Sequence, residues 1–141
     1  MANVLKDSYD EHFALIIGIN EYKNLSNLEY AVNDAKAVKD ILINKFKYKE
    51  DNIKILTNEE ATHQNIMDNF YNLVKETAIN DSVIIFFAGH GSTYPTIQKE
   101  KGFLIPYDGT EIKMNTLISW DVLINQSELI KAKHIFFIMD A

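Results

Sequence analysis

An α/β domain, with a mostly parallel sheet flanked by helices on both faces, is predicted by three features of this sequence. Continuous apolar runs at residues 13–19, 83–88 and 135–139 read as strands buried on both faces, since a strand with one wet face would alternate. Between them lie segments whose apolar residues recur at helical spacing. The polar residues best suited to chemistry come directly after strands, where a parallel sheet places its ligands.

Taken in order, residues 1–12 are a polar lead-in and residues 13–141 a single domain. The run at 13–19 is the first strand. Ala31, Ala35, Val38 and Leu42 then mark one face of a helix, with Lys36, Lys39 and Asp40 on the other. Residues 52–56 read as a short second strand. Thr62 is placed to cap a helix whose apolar face is Ile66, Phe70, Leu73 and Val74. Residues 82–88 form the third strand, ended by Gly89-His90-Gly91. Residues 92–101, with Pro95, read as a polar loop, and 103–105 as a short extended segment closed by Pro106. A helix is expected over 119–130, with Leu123 and Ile124 inward, before the last strand at 135–139. This order of strands and helices is that of an α/β domain.

Composition excludes several classes. The chain has 141 residues, 47% hydrophobic and 24% charged, which is ordinary for a globular domain with its own core. No apolar run is long enough to cross a bilayer, so no membrane is expected as a partner. Residues 1–11 lack the apolar centre of a signal peptide, and a cytoplasmic location is the expectation. The absence of cysteine excludes disulfides and thiolate metal sites. A net charge of −6 argues against nucleic acid as a partner. All fourteen basic residues are Lys, so these residues lack the bidentate carboxylate recognition at which Arg excels.

Four positions stand out. His90 sits between two glycines that let the backbone turn sharply beyond a strand end, where an imidazole can move protons near neutral pH. On position alone, a strand-end His in a tight turn is the more common reading. Gly91 follows it. Asp140 follows the last strand and could line a pocket or begin a turn. Asp34 lies near the start of the first helix, where a carboxylate is favoured by capping and dipole effects alone. His12, His63 and His134 have no metal-ligand spacing. There is no phosphate-binding loop, dinucleotide fingerprint or nucleophile elbow.

Four segments in order resemble the caspase, metacaspase and paracaspase group of cysteine peptidases, with the bacterial metacaspase-like branch the better fit. They are ALIIGIN at 14–20 with LEYAVNDA at 28–35, FFAGHG at 86–91, GFLIPYD at 102–108 and IFFIMDA at 135–141. The resemblance implies a Rossmann-like three-layer fold and a large-subunit part whose catalytic Cys would directly follow Ala141. That position lies about 50 residues beyond His90, the spacing of caspases. The expectation is that this chain is truncated there and that a small-subunit half belongs with it.

For the complete protein the resemblance implies a cysteine endopeptidase with a His–Cys dyad acting on a protein or peptide substrate. His90 would act as the proton-transfer residue, and the Gly91 N–H as an oxyanion donor. Asp34 and Asp140 would line a pocket for Lys or Arg at the residue before the cleaved bond. Many metacaspases need calcium, but the matching positions hold Lys101 and Ser119-Trp120-Asp121, so neither metal nor cofactor is expected. The alternatives are a catalytically dead regulatory fragment that binds other proteins, and a doubly wound nucleotide-binding or receiver-like domain.

Overall fold

The structure, a computed structural model, describes residues 9–141; most of the polar lead-in, residues 1–8, lies outside the described residues. Four parallel strands form the central sheet: β1 (His12–Gly18), β2 (Ile53–Thr57), β3 (Ser82–Ala88) and β7 (His134–Asp140), in the order β2-β1-β3-β7. All three pairings are parallel. The connecting helices are α1 (Ala31–Asn44), α2 (His63–Glu76) and α3 (Trp120–Gln126).

Alternation along the strands sends side chains to two separate cores. Leu15, Ile17, Val83, Ile85 and Phe87 pack with Ile66, Phe70 and Leu73 of α2 and Leu123 of α3. Ala14, Ile16, Phe86 and Ala88 face Ala31, Ala35 and Leu42 of α1. Helices therefore cover both faces, and strands such as β3, buried along nearly its whole length, read as unbroken apolar runs for that reason. Thr62 caps α2 as expected, its hydroxyl accepting the Asn65 N–H at 3.1 Å.

On the α1 side, Ala31 and Ala35 face Gly18, which brings the helix close to the sheet at that point. A Cβ on Gly18 would stand 2.6 Å from Ala35 Cβ and 2.7 Å from the Ala31 carbonyl oxygen. Gly18→Ala is thus expected to push α1 off β1 and cost about 1–3 kcal/mol, read as a drop of several degrees in a thermal melt. An unchanged melting temperature would mean that this contact is looser than described.

Two sequence expectations need correction. Residues 92–101 are not a loop. β4 (Gly91–Pro95) and β5 (Glu100–Leu104) form an antiparallel hairpin, extended by β6 (Ile118–Ser119) into a second sheet. β4 is exposed along most of its length, so no burial period marks it as a strand, and Pro95 stands at its end, where a missing N–H does no harm. The helix expected over 119–130 is also shorter. Ser119 caps α3 by accepting the Val122 N–H at 3.3 Å, but α3 ends at Gln126 and a 3-10 turn, Ser127–Leu129, comes next. Leu123 is buried as expected, whereas Ile124 is 39% exposed.

Candidate active site

The sheet order sets the site. β3 lies between β1 and β7, so the segments leaving these three parallel strands meet at one edge. Past the last ladder pair, Ala88↔Asp140, the Gly89 N–H donates to the Asp140 carbonyl oxygen at 3.1 Å. The chain then turns through His90 into β4. A Cβ on Gly91 would lie 2.8 Å from Ala141 Cβ, so the turn after β3 is pressed against the end of β7. Any side chain on Gly91 would crowd Ala141 and the Phe103 carbonyl.

His90 is held on three sides. Its backbone N–H donates to the Tyr22 hydroxyl oxygen at 2.6 Å. Its carbonyl accepts the Ile105 N–H at 3.0 Å. Its ring Nε2 lies 2.9 Å from the Ser26 carbonyl oxygen. A carbonyl can only accept, so that contact requires the hydrogen on Nε2 and leaves Nδ1 as the acceptor of the neutral ring. Tyr22 also packs its ring against the imidazole, centroids 4.8 Å apart. Burial pushes the Tyr22 phenol up to about 12, opposed by the His90 N–H.

Beside His90 is an open cavity of about 350 Å³ whose lining includes Asp34, His90, Gly91, Asp140 and Ala141. The four residues singled out in the sequence therefore share one cavity, although 106 positions separate Asp34 from Asp140. Asp34 projects from the first turn of α1 and Asp140 from the end of β7. Both are solvent-exposed. Glu29 adds a third carboxyl side chain to the lining, one that the sequence pattern does not single out. Across Gly91 and Ala141 lies a second, more apolar cavity of about 580 Å³, bounded by Phe103, Trp120 and Met139.

The other histidines are elsewhere. His12 Nδ1 bonds Ser82 Oγ and its ring stacks on Tyr48; His134 Nδ1 bonds the Tyr9 hydroxyl. Both sit at the amino ends of the strands, the opposite edge of the sheet. His63 opens α2, its N–H bonded to Asp108. Among the described residues no group of three His, Cys, Asp or Glu could hold a metal. The Lys101 ammonium lies 2.9 Å from Asp121 Oδ2 and holds that carboxyl below its usual range. Among the described residues no helix is long and apolar enough to cross a membrane.

Fold and site together define an α/β domain with a His-bearing, acidic cavity at the carboxyl edge of a parallel sheet. The family is settled by comparison: the caspase-domain model matches residues 11–141, and the chain belongs to that family. Metacaspase-1 of Arabidopsis thaliana is 39% identical over 85 residues, covering 56% of this chain and 23% of that protein. Metacaspase-1B of Neurospora crassa is 35% identical over 86 residues, covering 57% and 20%. The match thus spans about a fifth of those relatives' length. A solved structure of a Geobacter sulfurreducens protein superposes with a TM-score of 0.73 at 16% identity, covering 92% of this chain and 50% of that one, which supports the fold alone.

Proposed function

We propose that this chain is the histidine-bearing part of a cysteine endopeptidase that cleaves after Lys or Arg. The observation that carries the reading is the contact between the His90-Gly91 turn and Ala141 at the end of β7. A residue following Ala141 would enter beside His90 and above the acidic cavity. A thiol there would give its proton to His90 Nδ1, the resulting thiolate would attack the scissile carbonyl, the His90 imidazolium would return that proton to the leaving amine as the C–N bond breaks, and the Gly91 N–H would face the developing oxyanion. Asp34 and Asp140 would receive the basic side chain.

These residues contain no Cys, so the nucleophile belongs to the part of the protein beyond them in this reading. The small-subunit half would pair with the outer edge of β7. Two features support that placement. β7 is one of the two edge strands of its sheet, and Phe136 and Ile138 on one of its faces are 54% and 47% exposed, apolar surface that further chain beside this edge would cover.

The test is hydrolysis of short fluorogenic peptides. The 141-residue chain should cleave none of them, while the complete protein should cleave those with Lys or Arg before the bond and should lose activity on thiol alkylation. A complete protein with no Cys after Ala141 and no hydrolysis would replace this reading with that of a binding module. Alkylation-resistant hydrolysis by the complete protein would overturn the thiolate mechanism.

A further inference from the structure

We propose that Tyr22 is the positioning residue of this site: its hydroxyl holds the His90 main chain, and through it the place from which the His90 ring meets the Ser26 carbonyl. The inference deepens the peptidase reading and rests on it for its catalytic consequence, though not for the geometry.

The loop is anchored before it reaches His90. Asn58 adopts a left-handed backbone, φ 48°, which Asn tolerates better than most residues. Its Oδ1 accepts the N–H groups of Asn20 and Glu21 at 2.9 and 3.1 Å. Asn20 Oδ1 in turn accepts the Val32 N–H at the start of α1, at 3.2 Å. The Leu28 N–H closes the loop on the Asn20 carbonyl at 2.7 Å, and the Lys23 N–H donates to the Tyr107 carbonyl at 3.1 Å. The loop is therefore tied to β2's exit, to α1, to itself and to the segment after β5.

From this frame Tyr22 reaches under the turn after β3. It is only 8% exposed, and its hydroxyl takes up the space where a side chain on Gly89 would be: a Cβ there would lie 2.5 Å from Tyr22 Oη. The hydroxyl accepts the one backbone donor of His90, and four residues further on Ser26 offers a carbonyl to the far ring nitrogen. One short loop thus grips the histidine at its main chain and at the tip of its ring. Because the second grip demands a hydrogen on Nε2, the unprotonated nitrogen of the neutral ring is Nδ1. Tyr22→Phe keeps the ring and its packing but removes the acceptor, leaving a part-buried N–H to find water and the turn free to shift.

The experiment is nitrogen-15 NMR on the 141-residue chain. In the wild type, the His90 amide should exchange slowly with solvent, and long-range ring correlations should report a single Nε2–H tautomer. In Tyr22→Phe, His90 amide exchange should rise at least about tenfold and the ring should become a tautomer mixture, while amide shifts in β1 and β2 stay unchanged. A residue that merely fills space would leave the tautomer as it was. Exchange and tautomer unchanged in the variant would overturn the proposal. So would a fast-exchanging or Nδ1–H His90 in the wild type, which needs no variant to fold. In the complete protein, Tyr22→Phe should lower kcat with KM within about twofold. The NMR changes without any loss of kcat would uphold the clamp while removing His90 from the peptidase mechanism.

Discussion

Replacing His90 by Ala in the complete protein is expected to reduce kcat by about 10²–10⁴-fold, the usual contribution of positioned proton transfer, with KM changed little. The amine expelled from a peptide bond is a poor leaving group until it is protonated, and among the described residues His90 is the only histidine lining this cavity: His12 and His134 lie at the amino ends of the strands, and His63, which opens α2 after β2, is outside the lining. The loss should therefore fall on the chemical step and appear in single-turnover measurements. Fold damage is separable, because the His90 main chain is bonded through its own N–H and C=O, which alanine retains. The melting temperature should stay within a few degrees of wild type. Turnover within about threefold of wild type would remove His90 from the reaction.

The core strands are legible in the sequence because both faces of β1 and β3 are covered, leaving apolar side chains at nearly every position. β4 is illegible for the opposite reason. It pairs with β5 over five residues while most of its side chains point to water, so pairing is its whole warrant, and backbone pairing leaves no hydropathy signature. Ile124 misleads for a related reason, being apolar in sequence but 39% exposed in the fold, a singly exposed apolar residue of a common kind.

At the site, His90 and Asp140 can be picked out because each lies at or just past a strand end, whereas Asp34, in the first turn of α1, is singled out only by the resemblance. Their meeting in one cavity depends on the order β1-β3-β7, which residue types alone do not encode. Tyr22 obeys the same rule, four positions beyond the end of β1, and could be suspected on that ground. Ser26 could not, because it acts through a carbonyl that every residue possesses. Glu29 reads as an ordinary solvated loop acid until the cavity places it beside Asp34.

The acidic cavity leads to the prediction about specificity. Among fluorogenic peptides differing only in the residue before the cleaved bond, the complete protein should prefer Arg and Lys and discriminate strongly against Asp. Three acidic residues, Glu29, Asp34 and Asp140, line the cavity, and such a lining repels a further carboxylate. Asp34 and Asp140 are both exposed in this chain, so their pull on a cation is screened, and the large penalties of a fully buried pair do not apply. A charge-assisted hydrogen bond contributes about 1.5–3 kcal/mol, so Asp34→Ala and Asp140→Ala should each lower kcat/KM for basic substrates by roughly 10- to 100-fold. Because the two groups would hold one cation together, the double variant should lose less than the product of the single losses. Asp34→Asn and Asp140→Asn separate charge from shape: each keeps a carbonyl acceptor and should narrow the gap between Arg and uncharged residues without abolishing cleavage. A rate for Asp substrates equal to that for Arg, or basic-substrate rates unmoved in both alanine variants, would show that the basic side chain binds elsewhere, with the apolar cavity beyond Gly91, bounded by Phe103, Trp120 and Met139, the next place to look.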